Sequence, residues 1–290
     1  VAWIDTGSML PAKAVEAGIL DTLVEPEDLV EWAAPGTRPV VMPFAPDAPE
    51  EWGTPRRVAV VSLEGQIVDG KGAPGMVPWA RNLPADVVVS VLRELKEDPS
   101  VGAVILRVNS PGGSVVGSER IRRAVAELDG KKPVVASFGG VAASGAYLFS
   151  LPARRIWSEP EAIVGSIGVF SAQMSVGRLL DSLGLHVETV ATGPEAGGSS
   201  VLVPMDSSQS AHVREQVEDM HRMFAGNVMR SRKLDSTSFS MVDGGRVFTG
   251  ARAVDNGLVD ALGGLEDAVA WAAGEAGLPR PGEPVWFAPG

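Results

Sequence analysis

Hydrophobic and polar positions along the chain repeat with two different periods. Residues 57–68 (RVAVVSLEGQIV) are rich in β-branched side chains between turn formers and predict a strand. Residues 84–95 space their apolar side chains for one face of a helix, with a proline near the start. Residues 101–108 form a near-continuous apolar run, the pattern of a strand buried on both faces. A turn at 109–113 (NSPGG) leads to a predicted helix over 115–128. A strand over 132–138 then runs into GGVAASGAY at 139–147, which opens another helix. Short strands are predicted at 155–158, 163–170 and 187–192, and a long helix over 207–233. Strands alternating with helices imply βαβ units and a largely parallel sheet, hence an α/β fold.

A self-match adds a statement about domain organisation. Residues 12–34 (AKAVEAGILDTLVEPEDLVEWAA) align without a gap on residues 251–273 (ARAVDNGLVDALGGLEDAVAWAA), at a constant offset of 239. Ala14, Gly18, Asp21, Leu23, Asp28 and Trp32 meet Ala253, Gly257, Asp260, Leu262, Asp267 and Trp271. Each copy reads as a short helix stopped by Gly, a small strand and an amphipathic helix. A fixed offset through all three is poorly explained by chance. Residues 1–34 are therefore expected to be the tail of a preceding copy, 35–56 a Pro-rich linker, and 57–290 a complete copy.

Composition removes several function classes. The 290 residues carry a net charge of −11 and no basic run with interleaved aromatics, which argues against a nucleic-acid surface. With no cysteine there is no disulfide, thiolate metal site or thiol nucleophile. His186, His212 and His221 show no metal-ligand spacing, so neither metal nor cofactor is expected. No apolar run is long enough to cross a bilayer. Val1-Ala2-Trp3-Ile4-Asp5 lacks the basic and apolar regions of a signal peptide, and the expectation is a chain that begins inside a longer polypeptide.

Candidate chemistry gathers at two glycine-containing turns, each following a buried strand. Sites in open α/β sheets form beyond the carboxyl ends of strands, so both turns should reach one crevice. Gly113 can bring a backbone N–H close to a ligand because no Cβ intervenes. Ser144 stands among small residues at a helix start, where free N–H groups favour a developing anion. Acyl transfer needs two such donors, and Gly113 and Gly145 could supply them. The plainer readings are a tight turn at 109–113 and a helix N-cap at Ser144.

Four collinear motifs carry a resemblance. NSPGGSV at 109–115 after AVILRV resembles the oxyanion loop of the signal peptide peptidase A family, and VAASGAY at 141–147 resembles its nucleophile segment. VGSIGV at 164–169 and GARAVDNGLVDALG at 250–263 are similar to two further signatures, and the likeness covers roughly residues 57–276. It implies a ClpP/crotonase-like spiral of ββα units, with Ser144 as nucleophile, Gly113 and Gly145 as oxyanion donors, and a lysine as general base. It further implies apolar peptide substrates such as signal peptide remnants and homo-oligomeric assembly. Location would be the extracytoplasmic face of a bacterial inner membrane, with membrane contact only through parts outside this chain.

One position departs from the pattern. Where short members of the family carry the dyad lysine in a segment resembling SGxxK, this chain reads TGPEA at 192–196, and Ala196 stands in the lysine's place. No lysine occurs between Lys132 and Lys233. In the long, duplicated form of the family the first copy supplies the lysine, which agrees with the tail repeat. The base is thus expected outside this chain, with Lys71 as the fallback within it. A Ser-His-Asp triad finds no histidine placed to reach Ser144. The alternatives are a crotonase-type acyl-CoA enzyme, which would use the paired N–H groups on a thioester enolate, and a non-catalytic assembly subunit of the same fold.

Overall fold

The computed structural model describes residues 10–24, 28, 32, 56–72, 81–188, 190, 200–278 and 284–288. The chain forms two compact units, Val1–Trp52 with Phe170–Asp219, and Gly53–Val169 with Met220–Gly290. Nearly all of the predicted linker, residues 35–55, lies outside the described residues.

In the smaller unit, helix α1 (Pro11–Glu16) buries Ala14, and Lys13 pairs with Glu215 at 2.8 Å and with Asp219 at 2.5 Å. Helix α5 (Gly177–Ser182) belongs to the same unit. Helix α6 (Ser207–Arg232) begins in this unit and continues past Asp219 into the larger one.

The larger unit is built on a mostly parallel sheet. Strands β1 (Arg57–Glu64), β4 (Val101–Ser110), β5 (Val134–Ala143), β6 (Arg155–Ser158), β9 (Ala261–Leu262) and β10 (Val285–Phe287) run in the order β10-β1-β4-β5-β6-β9, all parallel. Strand β7 (Ile163–Gly165) pairs with β5, and β8 (Val247–Thr249) lies antiparallel to β7. A second small sheet joins β2 (Gln66–Val68) to β3 (Asn82–Pro84). Between the strands lie α2 (Ala85–Glu97), α3 (Val115–Asp129), α4 (Gly145–Ser150), α7 (Ser236–Val242), α8 (Gly250–Asp255) and α9 (Leu265–Glu275).

Burial explains the sheet. Val104, Leu106 and Val108 of β4 face a large core that includes Val88, Leu92 and Leu95 of α2 and Ile121, Val125 and Leu128 of α3. Ala103 and Ile105, one residue out of phase, face Ala268, Val269, Ala272 and Ala273 of α9. Each large apolar side chain wholly removed from water contributes about 1.5–3 kcal/mol, so a strand buried on both faces is held firmly.

The structure alters the expected elements in three places. The strand predicted over 57–68 breaks at Gly65, where φ is +97° and a Cβ would lie 2.1 Å from the Arg81 carbonyl oxygen. The chain leaves the main sheet there and β2 pairs with β3 instead. The strand expected over 163–170 is only the three residues of β7, after which Ser166 N–H donates to the Arg246 carbonyl and Gly245 N–H to the Ile167 carbonyl. At 187–192 the described residues 187, 188 and 190 form no strand, and the remainder lies outside the described residues.

The self-match of residues 12–34 on 251–273 has a backbone counterpart in its first helix and glycine turn, and most of residues 25–34 lie outside the described residues. Helices α1 and α8 occupy equivalent residues at the 239 offset, and Gly18 and Gly257 close them at φ +67° and +73°. Ile19 N–H donates to Ala14 O at 2.9 Å, and Leu258 N–H to Ala253 O at 2.8 Å. The next bonds, Leu20 to Ala14 and Val259 to Ala253, are both 3.2 Å. No strand forms at 22–24, where the other copy has β9. Burial differs too: Leu258 and Val259 are buried, whereas Ile19 and Leu20 are 38% and 42% exposed.

Candidate active site

Strand β5 carries the serine to its place by changing partner. Its pairing with β4 runs to Val108↔Phe138 and resumes at Ser110↔Ala142, so Gly139, Gly140 and Val141 bulge opposite Asn109. The Asn109 side chain fills the bulge, accepting the Val141 N–H at 3.2 Å. A Cβ on Gly140 would lie 2.9 Å from that Asn109 oxygen, which is why a glycine stands there. Beyond the bulge β5 pairs with β7 rather than β6, and the Ser144 N–H donates to the Gly165 carbonyl at 2.8 Å.

Ser144 sits at the strand-to-helix corner with φ 54° and ψ −122°, a conformation that costs a non-glycine residue about 1–3 kcal/mol. Its hydroxyl does not cap the helix, so the plain N-cap reading does not describe it. A serine held on a strained strand-to-helix turn presents its Oγ outward, the device seen in nucleophile elbows generally. Gly145 is the first residue of α4, so its N–H has no intrahelical acceptor.

The turn after β4 meets this corner from the neighbouring strand. Gly112 has φ +96°, and a Cβ there would lie 2.8 Å from Gly145 N and 2.9 Å from Ser144 Cβ. Gly113 forms a parallel bridge to Ile67 just beyond β1: Ile67 N–H donates to Gly112 O at 2.8 Å and Ser114 N–H to Ile67 O at 3.0 Å. In a parallel bridge the middle residue turns its own N–H away from the partner strand. Gly112, the residue before Gly113, closes on Ser144 and Gly145. The stretch 109–113 is thus more than a tight turn.

Gly113, Ser144 and Gly145 line one cleft with Val115, Ser118, Leu148, Gly168, Val169, Met220, Met223 and Phe224. The wall is apolar except for two hydroxyls, and Ser118 spends its proton on the Ser114 carbonyl at 2.6 Å. Among the described residues, no charged side chain is part of the lining. Peptide dipoles aimed at such a low-dielectric space act on a developing charge more strongly than in water.

The lysines and the histidine of this unit lie outside that lining. Lys132 has its pKa lowered by burial, the property a lysine base needs, yet it donates to the Leu95 carbonyl at 2.6 Å and to the Asp98 carbonyl, closing the end of α2. Lys96 and Lys131 pair with Glu127 and Glu97. Lys71 is exposed, and Lys233 stands just past the end of α6. His221 hydrogen-bonds Asp243 at 2.7 Å. Tyr147, wholly buried, donates to the Leu258 carbonyl at 2.8 Å, and burial pushes its pKa well above the ordinary value.

Sequence reasoning did not find the residues that hold the site together. Ile67, Asp69 and Ser118 carry no motif of their own and reach the glycine turns only through the fold. Ser166, at φ +51°, follows the Gly165 carbonyl that fixes Ser144. It lay within a quoted signature without being singled out.

Comparison with known proteins places the chain. The family model "Peptidase family S49" matches residues 126–279, just over half of the sequence and inclusive of Ser144. The chain belongs to peptidase family S49. It is 40% identical over 221 residues to Protease 4 of Salmonella typhi, covering 74% of this chain and 34% of that protein. It is 36% identical over 214 residues to a putative protease of Methanocaldococcus jannaschii, covering 73% and 68%. A putative signal peptide peptidase SppA of Enterococcus faecium is 30% identical over 223 residues, covering 76% and 64%. The resemblance to signal peptide peptidase A and the ClpP-like α/β fold are borne out by this S49 membership. The chain spans about a third of the length of the Protease 4 relative. Among the described residues, no helix is long and apolar enough to cross a membrane.

Proposed function

We propose that this chain is the nucleophile-bearing part of a serine endopeptidase that hydrolyses apolar peptides. The observation that carries the reading is the meeting of Gly113, Ser144 and Gly145 on one apolar cleft. Ser144 Oγ attacks the scissile carbonyl carbon and its proton passes to a general base. The Gly113 and Gly145 N–H groups hold the oxyanion of the tetrahedral intermediate. The C–N bond then breaks as the base returns the proton to the leaving amine, and water releases the acyl group by the same route. Val115, Leu148, Met220 and Phe224 favour an apolar substrate side chain beside the bond.

The base is a lysine outside this chain, supplied by an upstream copy or a neighbouring subunit. Two observations support this: no cation is among the described residues that line the cleft, and residues 11–20 repeat the helix and glycine turn of 250–259 while leaving Ile19 and Leu20 exposed where Leu258 and Val259 are buried. Residues 1–34 are then the tail of a preceding copy, 35–56 the linker and 57–290 the domain. Homo-oligomeric assembly, signal peptide remnants as substrates, and membrane association at the extracytoplasmic face through parts outside this chain complete the reading. An acyl-CoA enzyme of the same fold is less well supported, because among the described residues no carboxylate lines the cleft to act at a substrate α-carbon.

The test is turnover of an apolar peptide by this segment alone and together with the upstream half. Activity that requires both, and that is lost in Ser144→Ala, is the expected result. Equal turnover by the isolated segment would place the base within it, and an active Ser144→Ala variant would end the proposal.

A further inference from the structure

Gly113 has no side chain with which to fix the direction of its own N–H, and at φ +148° its backbone is one that other residues rarely adopt. Its orientation is set by its neighbours. Gly112 O and Ser114 N–H are both tied to Ile67 of β2, at 2.8 and 3.0 Å. Two residues further along the same segment, Asp69 reaches Ser114 a second time: the Ser114 hydroxyl donates to Asp69 Oδ1 at 2.5 Å. That hydroxyl also accepts the Gly117 N–H at 3.0 Å, as N-cap of α3. It therefore has a donor role and an acceptor role in one rotamer. The cap alone would account for a serine at 114; it does not account for a carboxylate brought 45 residues through the chain to meet it. Gly117 keeps the space open, since a Cβ there would lie 3.3 Å from Asp69 Oδ1 and 3.1 Å from Ile67 and Ala85.

We infer that Asp69 and Ser114 are positioning residues for the oxyanion hole: their hydrogen bond locks the 112–114 turn so that the Gly113 N–H stays directed at the carbonyl oxygen bound over Ser144. The inference rests on the proposed role of Gly113. Asp69 touches neither substrate nor Ser144 and acts through Ser114 alone. A donor that meets the oxygen only as it becomes charged raises kcat and leaves KM unchanged, so loosening it affects kcat selectively.

The experiment is steady-state hydrolysis of an apolar peptide by the full-length protein, with thermal melting of every variant. Asp69→Ala and Ser114→Ala should each lower kcat by about 10- to 100-fold with KM unchanged, short of the 10²–10³-fold cost of deleting an oxyanion donor. Asp69→Asn, whose amide oxygen still accepts the hydroxyl, and Ser114→Thr, which retains it, should stay within about threefold of the parent. The double alanine variant should be no slower than Ser114→Ala, as two ends of one contact are not additive. Ser144→Ala is the control. If it is inactive while Asp69→Ala keeps the parent kcat, the inference fails and the serine reading stands. An active Ser144→Ala overturns both. Loss confined to KM, loss only of melting temperature, or an Asp69→Asn as slow as Asp69→Ala would each overturn the positioning role.

Discussion

Gly112 faces Ser144 so closely that a methyl group on Gly112 would lie 2.9 Å from Ser144 Cβ and 2.8 Å from Gly145 N. Two turns, 32 residues apart in the chain from Gly112 to Ser144, are thereby fixed against each other at the ends of adjacent strands β4 and β5. Gly112→Ala has no relief, because the nearest atoms belong to the backbone and φ is +96°. The expected outcome is loss of about 1–3 kcal/mol of stability from strain alone, with peptidase activity lost in the fraction that still folds. Denaturant unfolding and peptide hydrolysis measured on the same preparation check both parts.

Gly145→Ala collides differently. A Cβ on Gly145 would lie 2.1 Å from the Ser118 hydroxyl, a side-chain atom that can be removed. Gly145→Ala alone should be strongly destabilised, and adding Ser118→Gly should restore much of the melting temperature. Additive losses in the double variant would show that the two positions are not in contact.

These contacts mark where the sequence was legible and where it was not. Strands β4 and β6 and helices α2 and α3 were evident because apolar runs and helical spacing report burial directly. The glycine turns were visible because their residue types have a backbone reason. The break at Gly65 was not, because a single glycine in a β-branched run does not say that Arg81 will approach it. The clamp from Asp69 to Ser114 was hidden for the same reason: a contact across 45 residues leaves no local pattern. The strand expected at 163–170 failed because β7 stops at Gly165, after which Ser166 and Ile167 bond to the 245–246 turn.

Arg232 and Asp260 tie the end of α6 to the α8–β9 corner. Arg232 reaches Asp260 at 2.6 and 3.1 Å and the Gly257 carbonyl at 2.8 Å, while Asp260 also accepts the Ile156 N–H at 2.8 Å. Burial opposes the Arg232 charge, but Asp260 holds its pKa above the ordinary value. Asp260→Ala leaves a guanidinium, only 10% exposed, without its acid. Because Asp260 is itself 32% exposed, this should cost roughly 1–3 kcal/mol in equilibrium unfolding.

Glu119 supplies a pH dependence. Burial raises its pKa, yet hydrogen bonds and charge from Arg122 and Arg123 outweigh that and hold the carboxyl below the ordinary glutamate range. A depressed carboxyl stabilises the fold above its unfolded pKa and loses that contribution as pH falls through the folded value. Stability should therefore drop below about pH 4.5, and Glu119→Gln should flatten that part of the curve. Denaturant midpoints between pH 3 and 6 read this out; an unchanged slope in Glu119→Gln would assign the acid sensitivity elsewhere.

Acyl transfer at this site turns on one hydroxyl, and covalent labelling reads out its reactivity. The full-length protein treated with a serine-directed fluorophosphonate, then digested and analysed by mass spectrometry, should carry the adduct on the peptide containing Ser144. Labelling should disappear in Ser144→Ala and weaken in Gly112→Ala. An adduct on another serine, with Ser144 unmodified while peptide hydrolysis is blocked, would contradict the account.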